Sequence, residues 1–392
     1  MRSLWLLLIL AVAPLGACAA FGGTPTGERL ERMKRSPNYH NGRFINLYRI
    51  KKFRVGRALK SFLDGSSFKT PREPLSVRTL SKRDFAQLPR SGLRVTWMGH
   101  SSLLVELDGH RILTDPVWST RAGPGLGLGP KRFFAAPLPL DQMPKLDAVI
   151  ISHDHYDHLD MNTIRQLAKT GVKFVVPLGI GAHLERWGVA ASRIVELDWW
   201  QSHTVGRVEL VATPARHGSG RRLTDRNATL WASWSLLGPK HRVYFSGDGG
   251  YSPTFAEIGR RYGPFDITLM ESGAYNPAWS DFHLGPEQSL KAHHDLRGKV
   301  MLPIHWGTFV LAPHGWTEPA ERLRAAAKKR PTTLVIPRPG DPVEPASPPA
   351  LTQWWPSNPW LTAVQSPVVA SEPAGYGLLR RGSPLTRLAE RK

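Results

Sequence analysis

The feature that most constrains this chain is a cluster of three histidines and an aspartate within six residues, namely His153, His155, Asp157 and His158. So many polar side chains are too costly to bury unless they have partners. Imidazole nitrogen and carboxylate oxygen are ligands of divalent metals such as zinc, which they bind at about 2.0–2.2 Å. We therefore interpret the cluster as part of a metal site. The alternative is a surface loop that happens to be rich in histidine.

The residues on either side of the cluster indicate that it follows a buried strand. Residues 148–151 are all apolar and mostly β-branched, a pattern typical of a strand in a core. Residues 161–169 predict a helix that ends at Gly171. Functional residues are often carried by loops that a rigid scaffold holds in place. The predicted position of the cluster is therefore suitable for a metal site.

Three further candidate ligands, His217, Asp248 and His305, each follow a short apolar segment that predicts a strand. Glycines on both sides of Asp248 would let the backbone approach a bound metal closely. Taken singly, each residue has another interpretation: a histidine that caps a helix, an aspartate in a turn, or a histidine in the core. Their order behind the first cluster favours one shared site.

Several short motifs accompany these ligands. They are NGRFIN at 41–46, WMGHSS at 97–102, LTDPVW at 113–118, FSGD at 245–248, GPFD at 263–266, GAY at 273–275 and PIHWGTF at 303–309. Together with the order of the ligands, this set resembles the metallo-β-lactamase superfamily. Within it, the motifs are similar to the branch of N-acylphosphatidylethanolamine-hydrolysing phospholipase D and its bacterial relatives. The resemblance covers about residues 38–340.

The resemblance implies a fold, a cofactor and roles for the ligands. The fold is of the α/β (α+β) class, a four-layer αββα sandwich of two mixed sheets with helices outside. The cofactor is two divalent metal ions, for which we expect zinc, with iron and manganese as alternatives. The family pattern gives one metal His153, His155 and His217 and the other Asp157, His158 and His305, with Asp248 bridging both. It also implies that a hydroxide bridging the metals is the nucleophile and that Asp157 orients the water.

Two residues near the ligands have open roles. Glu271 stands where the family usually has proline, and it could alter leaving-group preference or be solvated. His283 precedes a predicted helix with proline in its first turn, so it could protonate a leaving group, contact a phosphate or cap the helix. For His100, between two predicted strands, we expect a structural role.

The function that the resemblance implies is that of a metal-dependent hydrolase. We expect a phospholipase D-type phosphodiesterase that acts on N-acyl phosphatidylethanolamine or a related lipid. The first alternative is a lactonase or another hydrolase of a small soluble metabolite. The second is a non-catalytic metal-binding protein of the cell envelope. The single cysteine of the chain argues against a thiol nucleophile.

The first residues predict export and a lipid anchor. Residues 1–18 combine a basic tip with a short apolar run and end in a sequence similar to the bacterial lipobox, so we interpret them as a signal peptide with Cys18 as the lipidated residue. Ala19 after the cysteine favours the outer membrane, with the protein in the cell envelope facing the periplasm. The alternative is an ordinary cleaved signal.

The charge of the chain indicates an acidic partner. The formal net charge is +21, which favours binding to anionic surfaces or substrates. An exported protein without a nucleic-acid-binding motif is not expected to bind nucleic acid, so anionic phospholipid is the better match. The alternative is that an arginine-rich proteome inflates the charge. The oligomeric state is not predictable from these residues.

The predicted organisation has one catalytic domain between two extensions. Residues 19–37 predict a tether, residues 38–336 the metallo-β-lactamase-fold domain, and residues 337–392 a Pro-rich, mostly irregular extension whose tryptophans dock on the domain or touch lipid. Within residues 47–90, basic and apolar residues alternate. This segment is either an amphipathic helix at a membrane or, as we favour, an arm packed on the domain.

Overall fold

The computed structural model describes residues 19–51 and 55–372. The predicted signal peptide and its lipidated Cys18 lie outside the described residues, as does the end of the predicted C-terminal extension. The described helices are α1 (Gly27–Lys34), α2 (Val55–Leu63), α3 (Met161–Leu167), α4 (Gly181–Arg186), α5 (Thr254–Tyr262), α6 (Pro286–Asp295) and α7 (Glu318–Lys329). Within the described ranges, no helix combines the length and the apolar character needed to cross a membrane.

The strands form a short hairpin and two large sheets. They are β1 (Tyr39–His40), β2 (Arg43–Phe44), β3 (Leu93–Gly99), β4 (Ser102–Leu107), β5 (His110–Thr114), β6 (Ala148–Ile150), β7 (Lys173–Pro177), β8 (Ile194–Leu197), β9 (Ser202–Val205), β10 (Val208–Thr213), β11 (Ser233–Leu237), β12 (Arg242–Phe245), β13 (Phe265–Glu271), β14 (Gly298–Ile304), β15 (Thr333–Leu334) and β16 (Pro342–Val343). Strands β1 and β2 pair with each other. The first large sheet has the order β16-β3-β4-β5-β6-β7-β8, and the second has the order β15-β14-β13-β12-β11-β10-β9.

Each large sheet is antiparallel at one end and parallel at the other. In the first sheet, β16 to β5 pair antiparallel and β5 to β8 pair parallel. In the second, β9 to β12 pair antiparallel and β12 to β15 pair parallel. Parallel strands need crossover connections, which here contain helices, and both faces of such a sheet are covered.

The main core lies between the two sheets, and helices cover their outer faces. In β6, Ile150 packs into the core between the sheets, whereas Val149 packs with Ile164 of α3 and Leu184 of α4 on the outer face. This follows from the two-residue period of a strand, which makes both faces of a buried strand apolar. On the second sheet, the hydroxyl of Thr268 in β13 lies 2.7 Å from a ring nitrogen of His293 in α6. The predicted layered fold of sheets between helices is thereby confirmed.

Residues 19–37 differ from the flexible tether that their composition predicts. They contain helix α1, whose Met33 is buried, and Arg29 of α1 forms an ion pair of 2.6 Å with Glu196. Further upstream, the indole N–H of Trp187 donates to the carbonyl of Ala19 at 2.8 Å. The segment is therefore part of the folded body.

The C-terminal segment is irregular in most of its described length, but it is also packed. Strand β16 extends the first sheet beside β3. Trp355 is buried, and its ring and that of Trp354 lie 5.8 and 5.7 Å from the ring of Trp306. The structure thus places these two tryptophans on the domain, next to the residue that follows His305.

Candidate metal centre

The seven predicted ligands follow the ends of strands that meet at one edge of the two sheets. The histidine cluster follows β6, and His217, Asp248 and His305 follow β10, β12 and β14. Strand β10 is antiparallel to β11, which is antiparallel to β12, so β10 and β12 end on the same side. Close approach of the loops requires glycine at Gly247, whose φ is +53° and whose added Cβ would lie 2.6 Å from the Cβ of Ser152.

The first group of converging side chains is formed by His153, His155 and His217. Nε2 of His153 lies 2.8 Å from Nδ1 of His155, and Nε2 of His217 lies 3.3 Å from the same atom. Burial, reinforced by the neighbouring rings, lowers the pKa of His153 well below its ordinary value, and burial likewise lowers the pKa of His155 and His217. All three rings are therefore held neutral, which is the form that binds metals.

The second group contains His100, Asp157, His158 and His305, and Asp248 lies between the two groups. Oδ2 of Asp248 is 3.1 Å from Nε2 of His158 and 3.0 Å from Nε2 of His305. The same oxygen is 3.9 Å from Nε2 of His153 in the first group. Oδ2 of Asp157 is 3.4 Å from Nε2 of His305. The structure thus brings all seven predicted ligands into one cluster.

The donor atoms of this cluster fit divalent metal ions. Atoms that each lie about 2.0–2.2 Å from a shared ion are separated by roughly 3–3.5 Å, close to the spacing observed. Oδ1 of Asp248 is buried without a hydrogen-bond partner, which is costly unless something else binds it. Burial alone would lower the pKa of His305, but the Asp248 and Asp157 carboxylates outweigh it and raise that pKa to about 10. The carboxylates therefore favour a cation at this position.

Hydrogen bonds behind the ligands fix their orientation. Nδ1 of His158 lies 2.7 Å from Oδ2 of Asp115, which also accepts the hydroxyl of Ser152 at 2.5 Å. Nδ1 of His217 donates to the carbonyl of Phe282 at 2.9 Å. Such contacts on the far nitrogen of a ligand ring set its tautomer and direct the other nitrogen at the metal. Asp115 belongs to the LTDPVW motif, whose presence was the only sequence signal for this role.

Three residues outside the predicted ligand set lie beside the cluster, and the structure shows the contacts that each of them makes. His100 lies within the cluster, with Nε2 2.9 Å from Oδ2 of Asp157, so its structural role is to orient a candidate ligand. Glu271 is fully buried, which excludes the solvated alternative. Its Oε1 is hydrogen-bonded to Nδ1 of His283. His283 does not cap helix α6, because the N-cap position is Gly285.

The cluster opens into a cavity of about 660 Å³. His155, Asp157, His217, Asp248, His283 and His305 line its floor. Its walls come from helix α2, through Ala58 and Phe62, from the loop that follows β10, through Arg222, Leu223 and Arg226, and from Trp279, Phe282 and Leu311. A volume of this size can hold a ligand of many atoms, and aromatic and aliphatic walls favour an apolar one. The segment 47–90 thus contributes a helix packed over the site.

Comparison with known proteins agrees with this geometry. The β-lactamase superfamily domain matches residues 110–306, a range that contains all seven candidate ligands. The chain belongs to the metallo-β-lactamase superfamily. The chain is therefore a metal-dependent hydrolase of this superfamily, whose fold implies divalent metal binding, and the His/Asp cluster is the candidate site. The fold assignment from the sequence motifs is confirmed.

Two relatives and one solved structure are similar to the chain over most of their own length. An uncharacterized protein of Mycobacterium tuberculosis is 46% identical over 362 residues, covering 90% of this chain and 94% of its own length. The N-acyl-phosphatidylethanolamine-hydrolyzing phospholipase D 1 of Caenorhabditis elegans is 36% identical over 266 residues, covering 64% of this chain and 73% of its own. The isothiocyanate hydrolase from Delia radicum gut bacteria has a TM-score of 0.52 at 20% identity, covering 64% of this chain and 98% of its own, which supports the fold alone.

Proposed function

We propose that this metal-dependent hydrolase is a phospholipase D-type phosphodiesterase that acts on N-acyl phosphatidylethanolamine or a related membrane phospholipid. The observation that carries the proposal is the nature of the cavity mouth, described next. The similarity to a nematode phospholipase D that hydrolyses N-acyl phosphatidylethanolamine supports the same substrate class.

The mouth of the cavity is bordered by exposed apolar and basic side chains, here called the rim. The rim consists of Arg222, Leu223 and Arg226, which line the cavity, and of Leu59 and Leu63, the exposed neighbours of the wall residues Ala58 and Phe62 in helix α2. Leu63 is 78% exposed and Leu223 is fully exposed, although both are leucines in otherwise folded segments. Exposed leucines beside arginines match a bilayer with anionic headgroups, where the leucines enter the apolar region and the arginines meet phosphate. Binding of a small soluble metabolite inside the cavity would not require exposed leucines at its mouth.

The start of the described chain lies beside the rim. The guanidinium Nε of Arg221 donates to the carbonyl of Ala20 at 2.9 Å, and Nη2 of Arg222 donates to the carbonyl of Gly22 at 3.0 Å. We propose that the chain is exported and lipidated at Cys18 and anchored in the outer membrane facing the periplasm. An anchor next to Ala19 would hold the rim, and with it the cavity, against the bilayer.

The cavity residues have separate tasks in the proposed reaction. His153, His155 and His217 would hold one divalent ion and Asp157, His158 and His305 a second, with Asp248 shared; zinc is the ion we expect. Two such ions activate water and stabilise the charge that develops on a phosphodiester. Asp157, held by His100, faces the cavity and orients the attacking water. His283 faces the same space and can take a proton from the attacking water and pass it to the leaving group.

The test is an assay of the purified, zinc-loaded full chain on three substrate classes. N-acyl phosphatidylethanolamine in vesicles should release phosphatidic acid and the N-acyl ethanolamine, detected by mass spectrometry. Other phosphodiesters should be hydrolysed more slowly. Hydrolysis of lactones alone would contradict the phospholipase proposal, and no turnover of any class would favour a binding role.

A further inference from the structure

Glu271 occupies a position between the strands that carry two candidate metal ligands. It ends β13, whose parallel neighbours β12 and β14 lead into Asp248 and His305. In the register of this sheet, Glu271 pairs with Ile304, the residue before His305. Its side chain is completely buried. A carboxylate buried at the centre of a site needs hydrogen-bond partners that offset the free-energy cost of removing it from water.

The structure supplies those partners on every side of Glu271. Oε2 accepts the backbone N–H of Gly249 at 2.7 Å, and Oε1 is hydrogen-bonded to Nδ1 of His283. Its own N–H donates to the hydroxyl of Ser246 at 2.8 Å, and its carbonyl accepts the hydroxyl of Ser289. Both carboxylate oxygens and the backbone are therefore fixed in place.

This arrangement determines which nitrogen of His283 is protonated. Burial raises the pKa of Glu271, which the neighbouring His283 opposes. An ionised carboxylate can only accept, so the Nδ1 atom that faces ionised Glu271 must carry hydrogen. The His283 side chain keeps 18% of its surface exposed and lines the cavity. Since Nδ1 is bonded to Glu271, Nε2 is the ring nitrogen that is open to a bound molecule.

We propose that Glu271 is a positioning residue that holds His283 in its Nδ1–H tautomer, with Nε2 presented to the cavity as a hydrogen-bond acceptor. In a Ser-His-Asp triad, a buried carboxylate orients the catalytic imidazole in the same way. Here the oriented imidazole lies next to a metal cluster. Nε2 would accept a hydrogen bond from an N–H or O–H group of the substrate or from the attacking water. The resemblance to the family does not supply this pair, because proline usually stands at the position of Glu271.

The substitution Glu271→Gln tests the tautomer directly, because an amide has one acceptor and one donor. The N–H of Gly249 can only donate, so the amide oxygen of Gln must face Gly249. The amide nitrogen then faces His283 and donates to Nδ1. His283 must respond by moving its hydrogen to Nε2, which reverses the polarity that it presents to the cavity.

The first readout is the 15N NMR spectrum of histidine-labelled, zinc-loaded full chain at pH 8, with His283→Gln used to assign the His283 signals. In the wild type, the Nδ1 signal should be that of a protonated nitrogen and the Nε2 signal that of an unprotonated one, and E271Q should exchange the two. A wild-type ring with hydrogen on Nε2 would overturn the proposal, whether or not E271Q folds. So would a spectrum that E271Q leaves unchanged.

The second readout separates positioning from a structural or ligand role. On bis(4-nitrophenyl) phosphate, E271Q should lower kcat at least about a hundredfold with KM within about threefold, because a misoriented imidazole loses catalysis more than binding. In a H283Q background the same change should cost almost nothing, since the effect passes through His283. The zinc content of E271Q should equal that of the wild type. Loss of zinc, or an undiminished effect in the H283Q background, would make Glu271 a ligand or a scaffold residue instead.

Discussion

Asp248 lies with one carboxylate oxygen 3.0 Å from Nε2 of His305, while its other oxygen is buried without a partner. The same carboxylate reaches toward His153 and His217 at 3.9 and 3.8 Å. It is thus the side chain that faces both groups of candidate ligands. Burial opposes its ionisation, but His158 and His305 hold the pKa of the Asp248 carboxyl well below its usual range. The residue is charged and oriented for cations on both sides.

The change Asp248→Asn should abolish metal-dependent turnover and reduce the bound zinc from two equivalents to one or none. An amide of the same shape keeps the packing but removes the negative charge shared by both groups. Metal content is measured by atomic emission after gel filtration, and turnover on bis(4-nitrophenyl) phosphate. The exposed aspartate Asp141 provides the matched control, since D141N should retain metal and activity. Full activity in D248N would contradict the assignment.

A second prediction concerns Asp115, which contacts a candidate ligand without facing the cavity. Asp115→Asn should weaken zinc binding about 10- to 100-fold, because the carboxylate that orients a metal-bound imidazole typically contributes that much. Oδ2 of Asp115 lies 2.7 Å from Nδ1 of His158 and also holds Ser152. Competition with a chromophoric chelator measures the affinity. An unchanged affinity would show that Ser152 alone orients the ring.

The candidate ligands were predictable because their signals are local. Each lies directly after a short apolar segment, and strands of this kind end at one edge of a sheet. His100 was not identified as a neighbour of Asp157, because their hydrogen bond joins residues 57 positions apart and depends on how β3 and β4 pack against the loop after β6. The burial of Glu271 likewise depends on its neighbours β12 and β14, which a strand pattern alone does not specify.

The ends of the domain were harder to predict for a related reason. The composition of residues 19–37 predicts a tether, but buried side chains such as Met33 and the ion pairs of Arg29 with Glu185 and Glu196 hold the segment on the domain. The proline-rich composition beyond residue 337 predicts irregular backbone, since proline removes a ladder hydrogen bond. Within residues 337–372, β16 is the one strand that the structure describes. The composition does not exclude packing, and the rings of Trp354 and Trp355 lie against Trp306.

A third prediction tests the rim as a membrane contact. The double change Leu59→Glu and Leu63→Glu should lower binding to vesicles that contain anionic phospholipid and slow the hydrolysis of N-acyl phosphatidylethanolamine in them. Each substitution replaces an exposed leucine, 62% and 78% exposed, with a carboxylate that anionic headgroups repel. Turnover of soluble bis(4-nitrophenyl) phosphate should be unchanged, because neither leucine lines the cavity.

The control for the rim is Leu351→Glu, which places the same charge on an exposed leucine of the C-terminal segment. Vesicle binding is measured by co-sedimentation at about 0.1 M salt, where screening of exposed charges is moderate. Equal losses in L351E and in the rim variant would indicate a general effect of charge. In that case the rim would have no special part in membrane contact.

The last prediction concerns the pH dependence of folding stability through His293 of α6. This ring is 1% exposed, and a ring nitrogen lies 2.7 Å from the hydroxyl of Thr268. Burial, together with the nearby His294 and Arg330, lowers the pKa of His293 to about 3. Below about pH 6.5, His293 therefore binds a proton in the unfolded chain but not in the folded chain. Stability from this residue is full above pH 6.5 and is lost as the pH falls toward 3.

The magnitude of this loss is up to about 1.4 kcal/mol per pH unit below pH 6.5. The measurement is urea unfolding of the wild type and of His293→Gln between pH 8 and pH 5. At each pH, the free energy of unfolding of the variant is subtracted from that of the wild type, so that the effect of metal loss cancels. Because glutamine does not titrate, the stability advantage of the wild type should shrink as the pH falls. His40→Gln, which removes an exposed imidazole, should follow the wild type throughout. A difference between wild type and H293Q that stays constant with pH would mean that Thr268 and its surroundings accommodate the charged ring.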